Sequence, residues 1–231
     1  PLVAPCHQAS VLLGLLSPAV AADSVDKLCD LEILDDPNVV YTFHFYTPHE
    51  FTHQRGVLQA LPLYYNREMP YPGDAERYRD YKRVSENDTD AYKDLDVIDI
   101  NYLRSYLTPA KKWIERNPDK ILWCGEFGTI RHADMKWREN WMRDMITILK
   151  EWDIPYCVWN YLSTPNDGNR FSLVDDDNRK ILAIDIRRNC FFSCEIHSFY
   201  SYIVVKQKQI CILSNRNRTF WWSSYMSWWS D

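Results

Sequence analysis

Two short apolar runs bracket a single amphipathic helix, with a seven-residue junction before it and almost none after it: Ile121-Leu122-Trp123-Cys124-Gly125-Glu126-Phe127 and Ile154-Pro155-Tyr156-Cys157-Val158-Trp159-Asn160-Tyr161-Leu162. The helix runs from about Met135 to Trp152, with Trp141, Met142, Met145, Ile146, Ile148, Leu149 and Trp152 forming a stripe at helical spacing. Strands about 35 residues apart with a helix between them form a βαβ unit, which requires parallel strands and a right-handed crossover. The pattern extends upstream. Val39-Val40-Tyr41-Thr42-Phe43-His44-Phe45-Tyr46 is a β-rich run between the turn Asp36-Pro37-Asn38 and Thr47-Pro48. Asn101 to Arg116 is a second helix, with Leu103, Tyr106, Leu107, Ala110, Trp113 and Ile114 on one side, stopped by Asn117-Pro118-Asp119.

Alternating strands and helices with short junctions place the chain in the α/β class. A complete eight-unit barrel takes about 250 residues, whereas only three strands are readable in these 231 residues. The expected fold is therefore a partial (β/α)8 TIM barrel, about its last three βα units, over 31–182. Irregular extensions are expected at 1–30 and 183–231. Within the first, Val11 to Ala22 has the look of a signal-peptide core, but no Lys or Arg precedes it and it is too short to span a bilayer. In the second, Cys190-Phe191-Phe192-Ser193-Cys194 and Trp221 to Trp229 show neither helical nor strand periodicity, and Asn215-Arg216-Asn217-Arg218 lies between them. This aromatic tail reads as the product of a reading-frame error or a fusion, since so dense an exposed apolar patch is an aggregation liability. From Thr47 to Asp99 a long polar and aromatic stretch, rich in tyrosines such as Tyr64, Tyr65, Tyr71, Tyr78 and Tyr81, reads as an ordered loop.

A net charge of −5 and the lack of a basic stripe argue against nucleic acid as a partner. Nor is a membrane partner expected. Six glycines with no glycine-rich phosphate loop set aside a nucleotide-binding α/β protein. Seven cysteines, an odd number at irregular spacing, fit neither a disulfide framework nor paired zinc ligands. Cys124 and Cys157, inside the strands, read as free buried thiols and lean towards a reducing compartment such as the cytoplasm. The signal-like segment leans the other way, and no localisation follows.

Glu126 is the residue that suggests chemistry. Apolar neighbours flank it, and burying an ionised group without a reason costs several kcal/mol, of the order of 5. Strand alternation would put Leu122, Cys124 and Glu126 on one face, with Trp123 and Phe127 on the other. By the same alternation His44 and Tyr46 share a face with Val40 and Thr42, and Trp159 shares one with Cys157. The three strand ends His44-Phe45-Tyr46, Gly125-Glu126-Phe127-Gly128 and Val158-Trp159-Asn160 would then meet at one barrel mouth. Plainer readings stand beside these: a salt-bridged Glu126, a core histidine at His44, a core tyrosine at Tyr46 and a packing tryptophan at Trp159. His44, His49 and His53 match no usual metal spacing, so no metal site is expected.

The order and spacing of these segments, above all NVVYTFHFYTPHEFTHQ and ILWCGEFG, resemble the C-terminal half of glycoside hydrolase family 5, the cellulase family of retaining β-glycosidases. The resemblance covers about Leu31 to Leu182. It implies hydrolysis of O-glycosidic bonds in β-linked poly- or oligosaccharides, with no cofactor. Glu126 would be the nucleophile and Tyr46 would orient it. His44 would support the site or contact sugar, and Trp159 would form an apolar platform under a sugar ring. The family also carries its acid/base glutamate in an Asn-Glu dipeptide, and an arginine and a histidine on earlier strands. This sequence has no Asn-Glu dipeptide. The expectation is accordingly a fragment lacking the acid/base glutamate, completed by a missing N-terminal barrel half. The alternative is a noncatalytic carbohydrate-binding fragment.

Overall fold

The computed structural model describes residues 19–22, 24–36, 39–56, 66–160, 163, 170–173, 202–206 and 209–213. Along the chain these form β1 (Ala19–Ala22), a 3-10 turn (Val25–Asp30), β2 (Val40–Phe45), α1 (His49–Thr52), β3 (Gly73–Asp74), α2 (Ala75–Glu86), β4 (Val97–Ile98), α3 (Ile100–Arg116), β5 (Ile121–Phe127), α4 (Met135–Glu151), β6 (Tyr156–Trp159), β7 (Tyr202–Lys206) and β8 (Gln209–Leu213). The main sheet has the order β1-β2-β5-β6-β8-β7. Its first four strands are parallel. β8 runs antiparallel to both β6 and β7.

Local chemistry explains the helices. Asp74, Asp99 and Asp134 cap the starts of α2, α3 and α4, each accepting from a backbone N–H in the first turn. The two longer helices lay their apolar stripes on the sheet. Tyr41, Phe43, Phe45, Leu122, Cys124 and Phe127 from the strands share one buried cluster with Leu103, Leu107, Ala110 and Trp113 of α3. Trp141, Met142, Met145 and Ile148 of α4 belong to the same cluster. Trp141 is its hub at the C-terminal end of the strands. The indole lies 6.3 Å from Phe45, 6.4 Å from Phe51 and 6.2 Å from Phe127, and its Nε1 donates to the Thr47 carbonyl at 3.1 Å.

Alternation in β2 is regular, with Tyr41, Phe43 and Phe45 buried and Val40, Thr42 and His44 half-buried. In β5 it breaks. Phe43 pairs with Cys124 but His44 pairs with Glu126, so Gly125 is an extra residue, a β-bulge. Leu122, Cys124 and Phe127 are buried against the helices, whereas Trp123 and Glu126 are only half-buried. The expected grouping of Glu126 with Leu122 and Cys124 is thus corrected: the bulge turns Glu126 onto the face of Trp123, which is also that of Thr42 and His44.

Other expectations change as well. Ala19–Ala22, the end of the signal-like stretch, is a strand in parallel register with Val40–Phe43. The third expected strand stops at Trp159, and its Tyr161 and Leu162 lie outside the described residues, as do most of the Ser163–Gly168 turn, Tyr64 and Tyr65. Cys157 is disulfide-bonded, not a free thiol, which removes its support for a reducing compartment. Part of the long connection is regular structure: β3 and β4 pair antiparallel and frame α2. Gln54 pins its base, donating to the Met69 carbonyl at 2.9 Å and accepting from the Met69 N–H at 3.0 Å. The 183–231 extension contributes β7 and β8, whereas Cys190–Cys194, Asn215–Arg218 and Trp221–Trp229 lie outside the described residues.

Candidate active site

Glu126 stands at the C-terminal end of β5, the last position but one of the strand. The Tyr46 hydroxyl donates to its Oε2 at 3.0 Å, and His44 Nδ1 lies 3.6 Å from the same oxygen. Burial, reinforced by the Glu126 charge and the hydrogen bond to it, pushes the Tyr46 phenol well above its ordinary range. Tyr46 therefore stays protonated and acts as a donor. Glu126 and His44 remain partly open, with side chains 24% and 34% exposed. The carboxylate is reachable from solvent yet held by a fixed donor, unlike a carboxylate sealed in a structural ion pair.

Two glycines make this geometry possible. A Cβ on Gly125 would fall 2.5 Å from Thr42 Oγ1, so the bulge that turns Glu126 requires glycine. A Cβ on Gly128 would fall 2.0 Å from the Trp159 carbonyl oxygen. The β6 strand end thus lies against the backbone two residues beyond Glu126. Trp159 is half-buried beside the hydrophobic cluster, at the same end of the sheet. The next residue, Asn160, is buried and accepts from Ser163 Oγ at 3.1 Å through its side chain and from the Leu173 N–H at 3.1 Å through its carbonyl.

Of the residues singled out in the sequence, Glu126, Tyr46 and His44 come together by direct contact, and Trp159 joins them through the backbone at Gly128. A supporting layer behind Tyr46 was not anticipated. The Tyr46 ring meets His53 edge-on at 5.2 Å and Phe171 at 5.7 Å, and His53 meets Phe171 at 5.0 Å. Thr52 donates to the Tyr46 carbonyl. The only sequence signal for this layer was FTHQ, close behind HFY within the segment carrying the family resemblance.

His49 and His53 stack at 3.8 Å. Burial is the largest cause in both, lowering His49 to about 4 and His53 to about 3. Two neutral rings face to face, with His53 Nδ1 at 3.0 Å from Thr52 Oγ1, account for this pair as packing. Among the described residues no group of three His, Cys, Asp or Glu side chains is placed to hold a metal ion. A depression lined by Leu28, Leu31, Ile33, Trp113 and Arg116 lies at the opposite, N-terminal end of the strands, away from Glu126.

Residues 20–164 match the family described as Cellulase (glycosyl hydrolase family 5). The chain belongs to glycosyl hydrolase family 5. It is 39% identical over 142 residues to Endoglucanase C of Acetivibrio thermocellus, an alignment covering 60% of this chain and 40% of that protein. The same figures hold for Endoglucanase C307 of Clostridium sp. (strain F1). The chain thus spans 40% of the length of the curated relatives it matches. In fold it is similar to a hyperthermophilic endo-beta-1,4-glucanase solved in complex with substrate, with a TM-score of 0.50 at 20% identity over 75% of this chain and 47% of that one. Family 5 implies a (β/α)8 barrel, and this chain carries part of one as parallel strands with covering helices.

Proposed function

We propose that this family 5 chain carries the nucleophile side of a retaining β-glycosidase acting on β-linked glucan. The observation that supports it best is the Tyr46–Glu126 hydrogen bond at the C-terminal end of a parallel strand. Both contacts to the carboxylate converge on Oε2. Oε1 is then the oxygen that attacks the anomeric carbon, forming a glycosyl ester as the bond to the leaving oxygen breaks. Tyr46 holds the carboxylate in one rotamer, His44 supports it or contacts sugar, and the Trp159 indole offers a flat apolar face to a pyranose. Substrate class follows the relatives, which are endoglucanases at 39% identity.

The C-terminal portion of the barrel is read as reaching back past 31 to β1, which pairs in parallel with β2, and as ending by about 182, with 183–231 an appended tail. The acid/base glutamate is not supplied by an Asn-Glu dipeptide in this sequence. General-acid help contributes about 10² to 10⁴ in rate, so a substrate needing it turns over slowly here. That same absence favours the second reading, a carbohydrate-binding fragment without turnover.

An activated aryl glycoside such as 2,4-dinitrophenyl β-cellobioside tests the proposal, because its leaving group departs without protonation. Hydrolysis by the purified chain, lost in Glu126→Ala, is expected. Equal background rates from both proteins, together with retained binding of cellooligosaccharide, would establish the second reading instead.

A further inference from the structure

Tyr46 and Glu126 come from strand ends eighty residues apart, and one residue outside both strands joins them. Thr52, the last residue of α1, donates its hydroxyl proton to the Tyr46 carbonyl. Through its own carbonyl it accepts from the Ile130 N–H at 2.9 Å, four residues beyond Glu126. Its side chain therefore grips the end of β2 while its backbone grips the segment leaving β5. We propose that Thr52 is the positioning residue that fixes Tyr46 against Glu126. This rests on the reading of Glu126 as nucleophile for its kinetic consequence, but the geometry it explains does not.

The hydrogen-bond inventory sharpens the role. A threonine hydroxyl has one proton. Its contact with the Tyr46 carbonyl is far shorter than its alternative, the Pro48 carbonyl at 3.4 Å, so the proton goes to Tyr46. The contact with His53 Nδ1 at 3.0 Å must then run the other way, with the imidazole donating to Oγ1. His53 is buried, and burial keeps its ring neutral, consistent with one N–H directed at Thr52. His53 and Phe171, themselves in contact at 5.0 Å, also pack edge-on against the Tyr46 ring. Thr52 is thus held by His53 from behind, and what it holds in turn is the backbone of Tyr46.

Two readouts test this on the whole chain. The first is the rate at which 2,4-dinitrophenyl 2-deoxy-2-fluoro-β-cellobioside labels Glu126, followed by peptide mass. The isosteric Thr52→Val should label about tenfold to a hundredfold more slowly than the parent, while Thr52→Ser, which restores the hydroxyl, stays close to it. The second is the 13Cζ resonance of Tyr46, which reports its hydroxyl hydrogen bond without any turnover. In Thr52→Val it should move towards its position in Glu126→Ala, and in Thr52→Ser it should not move. A Thr52→Val chain with the parent labelling rate and an unmoved Tyr46 resonance overturns the proposal. A parent chain that takes no label sinks the glycosidase reading alone, and the resonance then decides the role of Thr52. If Thr52→Val folds poorly, Thr52→Ala carries the same comparison.

Discussion

The Thr42 hydroxyl occupies the space that any side chain at Gly125 would need, with Oγ1 2.5 Å from where a Cβ would stand. This contact across β2 and β5 sits at the bulge that carries Glu126 from the helix-facing side of the sheet to the open side. A single methyl group therefore tests whether the carboxylate can keep its orientation.

Gly125→Ala is expected to destabilise the chain by about 1–3 kcal/mol, the usual cost of overpacking. The obstacle is a side-chain oxygen, so adding Thr42→Ala should recover more than half of the loss. Urea titrations of the single and double variants check this. A Gly125→Ala chain with an unchanged midpoint would contradict the steric argument.

Gly128 meets a harder obstacle, because its Cβ would lie 2.0 Å from the backbone oxygen of Trp159. No side-chain change relieves a clash with main chain. Gly128→Ala should cost upwards of about 3 kcal/mol, and neither Thr42→Ala nor Phe171→Ala should rescue it. Comparing the same titrations ranks the two glycines, and equal costs would argue against this placement of β6.

Acid should weaken the fold through the stacked histidines. Unfolded rings take up protons below about pH 6.5, whereas the folded rings of His49 and His53 remain neutral down to about 4 and about 3. Between those limits the unfolded chain binds more protons, so stability is fully present above pH 6.5 and falls as the pH falls. Each ring contributes a slope of up to about 1.4 kcal/mol per pH unit. His49→Phe and His53→Phe should each flatten the decline between pH 6 and about 4. Denaturation midpoints measured across that range provide the check, and parallel curves for parent and variants would rule the histidines out as its source.

Glu50, 3% exposed, pairs with Lys82 Nζ at 3.0 Å and accepts from the Tyr92 hydroxyl at 3.0 Å. Removing only the cation leaves a buried charge without its counter-ion, which costs about 3 kcal/mol or more. Lys82→Met should therefore be markedly destabilising. Glu50→Gln in the same chain should restore much of the loss, because an amide needs no counter-ion. Thermal melts at neutral pH distinguish this from a simple additive pair of losses.

How much of this was legible in the sequence varied with the physics behind each element. β2 was readable because its buried Tyr41, Phe43 and Phe45 alternate without interruption. The phase of β5 was not, because a bulge at glycine leaves the same apolar letters in place while shifting every later side chain to the other face. β1 was hidden in a longer apolar run, where four residues of Ala and Val look no different from a leader. α2 was missed because only Ala75, Tyr78 and Tyr81 are buried among charged neighbours, too sparse a stripe to read. Glu126, Tyr46 and His44 could be picked out because strand ends carry them. Thr52 could not, since the role proposed for it needs both a side-chain bond back to the Tyr46 carbonyl and a backbone bond from the distant Ile130, and a lone threonine in a polar stretch signals neither.

The Gln54 clamp on Met69 has a consequence for how such a chain can diversify. With both backbone groups of Met69 held by one amide, the intervening stretch is a cassette closed at its root. Doubling the length of a flexible insert there adds only about 0.6 kcal/mol of closure cost. Thr52 and His53, which hold Tyr46, precede Gln54 and so lie outside the closed stretch, and Tyr46 and Glu126 need not feel the change. The length of that stretch and the geometry of the strand-end site can therefore vary independently within one gene.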